Sequence, residues 1–215
     1  MITRIQAIAN LQPYLGKNLF DYCDLFKIYP FKDGKQNKGW KGLILERLAG
    51  LQNNNEKAPN GLGFEMKSVA FVLKKEGYKA KETMAITMLN KKELVRDSFF
   101  ESHCWEKLKS LVFCATSWEE TGQSKAILLD ITSFDFLTDG DLIKEIEQDY
   151  EFIRGKLITQ GFESLTGSDG KWIQTRTKGA GHGSTSRAFY ARPSLVNLIC
   201  QIEPVGITKI DEFTK

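Results

Sequence analysis

Apolar side chains recur at helical spacing through the first fifty residues. Ile5, Ile8 and Leu11 share one face, and Leu19, Tyr22 and Leu25 or Phe26 repeat the pattern. After the Gly- and Lys-rich stretch FKDGKQNKG, Trp40, Leu43, Ile44 and Leu48 form one helical stripe, which Gly50 can stop. The polar tract LQNNNEKAPNG is a predicted loop, with Pro59-Asn60-Gly61 as its strongest turn signal. Four strands are predicted next: around Phe64–Lys67, Met84–Leu89, Leu111–Thr116, and a more deeply buried one at Lys125–Thr132. Ser102–Ser110 reads as a short helix and Asp139–Gln160 as a long amphipathic one, opened by acids and closed by Gly161. Strands at Lys171–Thr175 and Arg187–Arg192 flank a Gly/Ser/Thr-rich loop, and a last helix begins at Pro193. The expectation is one α/β domain over residues 1–215. An N-terminal lobe over 1–110 and a C-terminal lobe over about 111–215 would border a cleft.

Composition adds few constraints. Hydrophobic residues at 41%, aromatics at 11% and charged residues at 27% are ordinary for a folded domain, and 215 residues suffice for a sizeable core. No stretch approaches the roughly 18 apolar residues of a membrane span, and the N-terminus lacks a signal-peptide pattern. Cys23, Cys104, Cys114 and Cys200 are scattered, and only two histidines are present. That argues against zinc and fits buried, reduced thiols in a cytoplasmic protein with no membrane partner. The net charge of +3 is mildly basic; its distribution says more.

The segment with chemical content is Pro59-Asn60, four residues, then Glu65-Met66-Lys67. On a strand, Glu65 and Lys67 project from one side while Phe64 and Met66 enter the core. Hydrolysing a phosphodiester at neutral pH calls for a metal that lowers the pKa of the attacking water. Carboxylate oxygens suit Mg²⁺, and a neighbouring lysine can orient the water. An acid at the loop, an acid on the strand and a lysine two residues on are the minimum for such a site. Alone, a Glu-x-Lys pair reads at least as well as a solvated strand face worth about 0–1 kcal/mol.

Six blocks in order change that balance. Lys38-Gly39-Trp40-Lys41-Gly42 through Glu46 resembles the MutH helix signature K-G-W-x-G-x-x-L-E, and Leu62 to Ser68 resembles the strand L-G-V-E-L-K-T. Glu82-Thr83, Ser102-His103 with Lys107-Leu108-Lys109, Arg176 to Ala180, and Arg187 to Tyr190 match further blocks in register. The chain is thus similar to the MutH-like branch of the PD-(D/E)xK nucleases. The resemblance implies a restriction-endonuclease-like mixed sheet flanked by helices, gripping double-stranded DNA between two lobes. It implies Mg²⁺ as cofactor, with Glu65 as principal ligand beside the Met66 carbonyl and Asn60. Glu46 would be the helix carboxylate that supports the metal. Lys67 and Lys107 would be lysines near the scissile phosphate.

The departure is Asn60, where this superfamily normally has aspartate. The amide is nearly isosteric but uncharged, hence a poorer ligand for Mg²⁺. Two readings stay open: an aspartate engineered to asparagine, or a natural asparagine in a slow, metal-altered or purely DNA-binding protein. From Gly170 to Arg192 the chain carries Lys171, Arg176, Lys178, Arg187 and Arg192 and no acid, the expected footprint for phosphate binding. Arg176 is the first candidate for reading a base, and Tyr190 for sensing adenine methylation, with Phe189 alternating into the core. Lys38 and Glu82 complete the expected DNA-contacting set. The preferred expectation is a type II restriction endonuclease, monomer or homodimer, that cuts a short specific site to leave 5′-phosphates. The alternatives are a MutH-type nickase activated by a repair partner, and an inactive DNA-binding domain.

Overall fold

A computed structural model describes residues 2–51, 59–118, 125–136, 140–178 and 186–202. The chain opens with α1 (Arg4–Leu11), started by a capping box in which the Thr3 and Gln6 side chains exchange bonds with each other's backbone N–H. The short α2 (Cys23–Phe26) leads to a two-stranded ribbon of β1 (Phe31–Lys32) and β2 (Lys35–Gln36). Then comes α3 (Trp40–Ala49), which Gly50 ends in a left-handed turn at φ 82°. The α1 face is rotated from the expected one. Ala7 and Leu11 are buried, whereas Ile5 is 80% exposed.

The central sheet has the order β4-β3-β6-β7. It comprises β3 (Glu65–Lys74), β4 (Gly77–Ala80), β6 (Ser110–Ser117) and β7 (Leu128–Asp135). β3 and β6 run parallel and the other pairs antiparallel, so the sheet is mixed. A second, antiparallel sheet has β9 (Arg187–Ala191) between β5 (Met84–Met88) and β8 (Ile173–Thr177). The chain joins them through α4 (Lys91–Arg96), α5 (His103–Leu108), the long α6 (Gly140–Gln160) and α7 (Pro193–Ile199). Strands from either side of residue 110 share both sheets, β3 with β6 and β5 with β9.

Period-two alternation explains why the central sheet has helices on both faces. Val69, Phe71, Leu111 and Phe113 point into a core shared with α5, α6, α7 and the second sheet. Phe64, Met66, Val112 and Cys114 point into a core filled by α1 and α3. This α/β architecture, a mixed sheet flanked by helices, is consistent with a restriction-endonuclease-like fold. One expectation about the strands is corrected. β7 lies three residues later than the Lys125–Thr132 run and is less buried than β6, because it is an edge strand. The β3–β4 hairpin and α4 were not anticipated. Among the described residues, no helix is long and apolar enough to cross a membrane, and all four cysteines are buried free thiols.

Candidate active site

Glu65 opens β3 with 4% of its surface exposed, and its carboxylate is surrounded by donors. Lys67 Nζ lies 2.8 Å from Oε1 and Lys107 Nζ 3.0 Å from Oε2. The Asn60 backbone N–H donates to Oε2 at 3.1 Å, which ties the loop ahead of the strand to the strand itself. Lys67 reaches this position because it is two residues along the same face, and its Nζ also donates to the Ile86 carbonyl of β5 at 3.1 Å. Lys107 comes from the last turn of α5, which Ser102 caps through the Trp105 N–H.

The Asn60 amide lies between two carboxylates. In one orientation its nitrogen donates to Glu46 Oε1 at 3.4 Å and its oxygen accepts from the Met66 N–H at 3.4 Å. Turned over, the nitrogen donates to Glu65 Oε2 at 2.6 Å and Oε1 at 3.0 Å. The second orientation gives an anionic carboxylate the donor it demands, so we take it as the arrangement when no cation is bound. In the first orientation the amide oxygen faces Glu65 and joins Glu46 and Glu65 in a set of hard oxygen donors. Such a set fits Mg²⁺ chemically.

Burial raises the pKa of the Glu46 carboxyl, the Glu65 charge adds to the rise, and Lys67, Arg47 and Lys107 oppose it. Burial lowers that of the Lys67 ammonium; Glu65 opposes the shift, and the charges of Lys107 and Lys178 reinforce it. A cleft of about 930 Å³ opens beside Glu65, Lys67 and Lys107, bordered by β5 and the start of α4.

The structure therefore brings Glu46, Asn60, Glu65, Lys67 and Lys107 together, with Met66 against the Asn60 side chain. The DNA-contact candidates are spread more widely. Arg176 is exposed, donates to Thr83 Oγ1 at 3.2 Å and lies 5.9 Å from the Tyr190 ring centroid. Phe189 is buried and Tyr190 half-buried, as alternation on β9 requires. Lys171 pairs with Glu145 of α6 at 2.7 Å, and Arg187 is packed over Phe162 with Glu163 3.6 Å away. Arg192 donates to the carbonyls of Gly167, Asp169 and Gly170, which makes it a loop anchor in this structure. Lys38 and Glu82 line a different cleft, on the α3 side of β3. The Gly179–Gly183 loop falls outside the described residues. Sequence reasoning missed Lys91, Lys92 and His103 on the cleft beside Glu65. The Asn90 cap ahead of the two lysines was the available signal.

Comparisons with known proteins bear on this site. The family described as "DNA mismatch repair enzyme MutH" matches residues 49–134, which contain Asn60, Glu65, Lys67 and Lys107. "DNA mismatch repair protein MutH" of Haemophilus influenzae (strain 86-028NP) is 22% identical over 214 residues, spanning 97% of this chain and 91% of that protein. Its counterpart in strain PittGG is 23% identical over 218 residues with the same coverage. The chain is therefore similar to these MutH proteins over nearly its whole length.

Proposed function

We propose that the chain is a DNA endonuclease that hydrolyses phosphodiester bonds at a short specific site with Mg²⁺, leaving 5′-phosphates. The observation that carries this reading is the convergence of the Glu46, Asn60 and Glu65 side chains with the Lys67 and Lys107 ammonium groups beside one cleft. When bound, Mg²⁺ would lower the pKa of the attacking water and neutralise charge that develops on the phosphate. Glu65 and Glu46 would hold it, with the Asn60 amide oxygen turned inward and the Met66 carbonyl beside it. Lys67, whose hold on its proton is weakened by burial, orients the water through Nζ and can accept a proton from it. Lys107 faces Glu65 from α5 and supplies positive charge beside the scissile phosphate.

Between the two catalytic readings, the relatives favour a MutH-type strand-nicking enzyme in mismatch repair over a type II restriction enzyme, since both carry the mismatch-repair name over nearly the whole chain. A supercoiled plasmid digested with the Asn60→Asp variant in Mg²⁺, without any partner protein, distinguishes them. Intact or slowly nicked circles support the partner-dependent nickase, and rapid linearisation supports the restriction enzyme. No cleavage with or without a mismatch-repair partner protein would overturn the endonuclease reading.

A further inference from the structure

We propose that the cleft on the α3 side of β3 binds a backbone phosphate of the DNA duplex, separate from the phosphate that is cut. This rests on the endonuclease reading and adds a contact to it. The cleft holds about 450 Å³ and shares no lining residue with the catalytic one. Lys38, Lys41 and Lys125 line it, with Glu82 as the one carboxylate among the described lining residues. Lys81 sits at its rim, with Nζ 4.0 Å from the Trp118 ring centroid.

Lys41 is the informative residue. It is half-buried, and burial lowers the pKa of its ammonium while the charge of Glu82 opposes the shift. Among the described residues its ammonium makes no hydrogen bond, so an anion in the cleft can complete its surroundings. The Ser68 hydroxyl, half-buried on the same wall, adds a donor. The cleft offers no platform for a base. Trp40 is 3% exposed, and Lys81 covers the Trp118 ring. Phosphate is therefore the part of a nucleic acid that fits.

The choice of a duplex over a free phosphate ligand follows from connectivity. Lys41 and Glu46 lie on one helix, about 7.5 Å apart along its axis at 1.5 Å per residue. Ser68 directly follows Lys67 on β3 and faces the opposite side. Phosphates along one strand of DNA advance by about 3.4 Å, so one duplex engaged at Glu65 can place a phosphate a few nucleotides away against Lys41.

The test is duplex affinity across a salt series for the wild type, Lys41→Gln, Lys125→Gln and, as an exposed control outside the cleft, Lys75→Gln. Lys41→Gln and Lys125→Gln should each flatten the salt slope by about 0.9. They should weaken cognate and scrambled duplexes alike; Lys75→Gln should behave as wild type. In a parallel titration, inorganic phosphate should shift the wild-type backbone amide resonances of Lys41 and Ser68, and do so less in Lys41→Gln. Wild-type slopes in both cleft variants, beside normal wild-type binding, would overturn the pocket and leave the endonuclease reading intact. A wild-type chain that binds no duplex would overturn that reading and the duplex as occupant. A phosphate titration that moves neither resonance would overturn the pocket itself.

Discussion

Replacing Asn60 by aspartate puts a third carboxylate beside Glu46 and Glu65, at a position whose present amide lies 2.6 to 3.4 Å from their oxygens. Lys67 and Lys107 offset two of the three negative charges, and the third is disfavoured unless a further cation binds. Asn60→Asp should therefore lower the melting temperature in EDTA and regain it in Mg²⁺, with a larger Mg²⁺ shift than the parent chain shows. Its cleavage rate in Mg²⁺ should equal or exceed the parent rate. A slower aspartate variant with no added Mg²⁺ response would remove the idea that Asn60 is a weakened ligand. Glu65 calls for a gentler change than alanine, because truncation would strand Lys67 and Lys107 in a buried site at a cost of about 3–5 kcal/mol. Glu65→Gln and Lys67→Met should abolish detectable cleavage while keeping duplex affinity within a few-fold of the parent. Cleavage near the parental rate by either variant would refute the assignment. Glu65 and Lys67 are legible from strand alternation alone. Asn60 follows from its spacing ahead of the strand, whereas Glu46 and Lys107 do not: their contacts span 14 and 42 residues, and only the family register pointed to them.

The basic stretch from Gly170 to Arg192 shows how element packing rewrites a pattern that is clear in the sequence. It contains no acid, yet α6 brings carboxylates against its first strand. Asp149 accepts the N–H groups of Lys171 at 2.7 Å, Trp172 at 2.6 Å and Ile173 at 2.9 Å, and Glu145 takes Lys171 Nζ and the Trp172 indole N–H. Asp169 closes the turn ahead of β8 by accepting Lys156 Nζ at 2.7 Å and the Thr166 N–H at 2.7 Å. Burial alone would raise the Asp169 pKa, but the bonds from Lys156 and Thr166 outweigh it and hold the carboxyl below its ordinary value. A depressed carboxylate pKa contributes stability above the unfolded value of about 3.9, and that contribution is lost as pH falls through the folded value. Asp169→Asn should therefore melt lower than the parent at neutral pH and converge with it near pH 2. A gap that persists in acid would mean that shape, not charge, holds the turn. The amphipathic α6 and its Gly161 stop were legible in the sequence because 3.6-residue periodicity over 21 residues is a strong signal. The four-residue β4 and six-residue α4 carry too few periods to register. The apolar run at Lys125–Thr132 resembled a central strand because hydrophobicity records burial and not the place in a sheet.

Across the whole molecule, the question is which cations face a ligand once internal partners are taken out of the basic footprint. The net charge of +3 is small, so placement decides. Lys171 is engaged by Glu145, Arg187 is enclosed near Phe162, and Arg192 anchors a turn. Arg176 remains exposed near the end of β8, and the charge of Lys178 just beyond the strand contributes to lowering the Lys67 pKa. The second sheet thus carries the candidate base reader, Arg176, on the strand that ends beside Lys178. Arg176 has the geometry of a reader, since Thr83 and the Tyr190 ring steady a guanidinium whose remaining N–H groups can make a bidentate contact with guanine. Arg176→Ala should cost about 1–3 kcal/mol in affinity for a cognate duplex and much less for a scrambled one. Lys178→Gln should weaken both duplexes alike and flatten the salt dependence by about one unit. Lys171→Ala, with its charge already spent on Glu145, should change the slope less than Lys178→Gln does. Affinities for both duplexes at several salt concentrations test all three variants together. Equal losses on the two duplexes for Arg176→Ala would move it to the backbone contacts. A slope change for Lys171→Ala as large as that for Lys178→Gln would mean that the Glu145 pair opens when DNA binds.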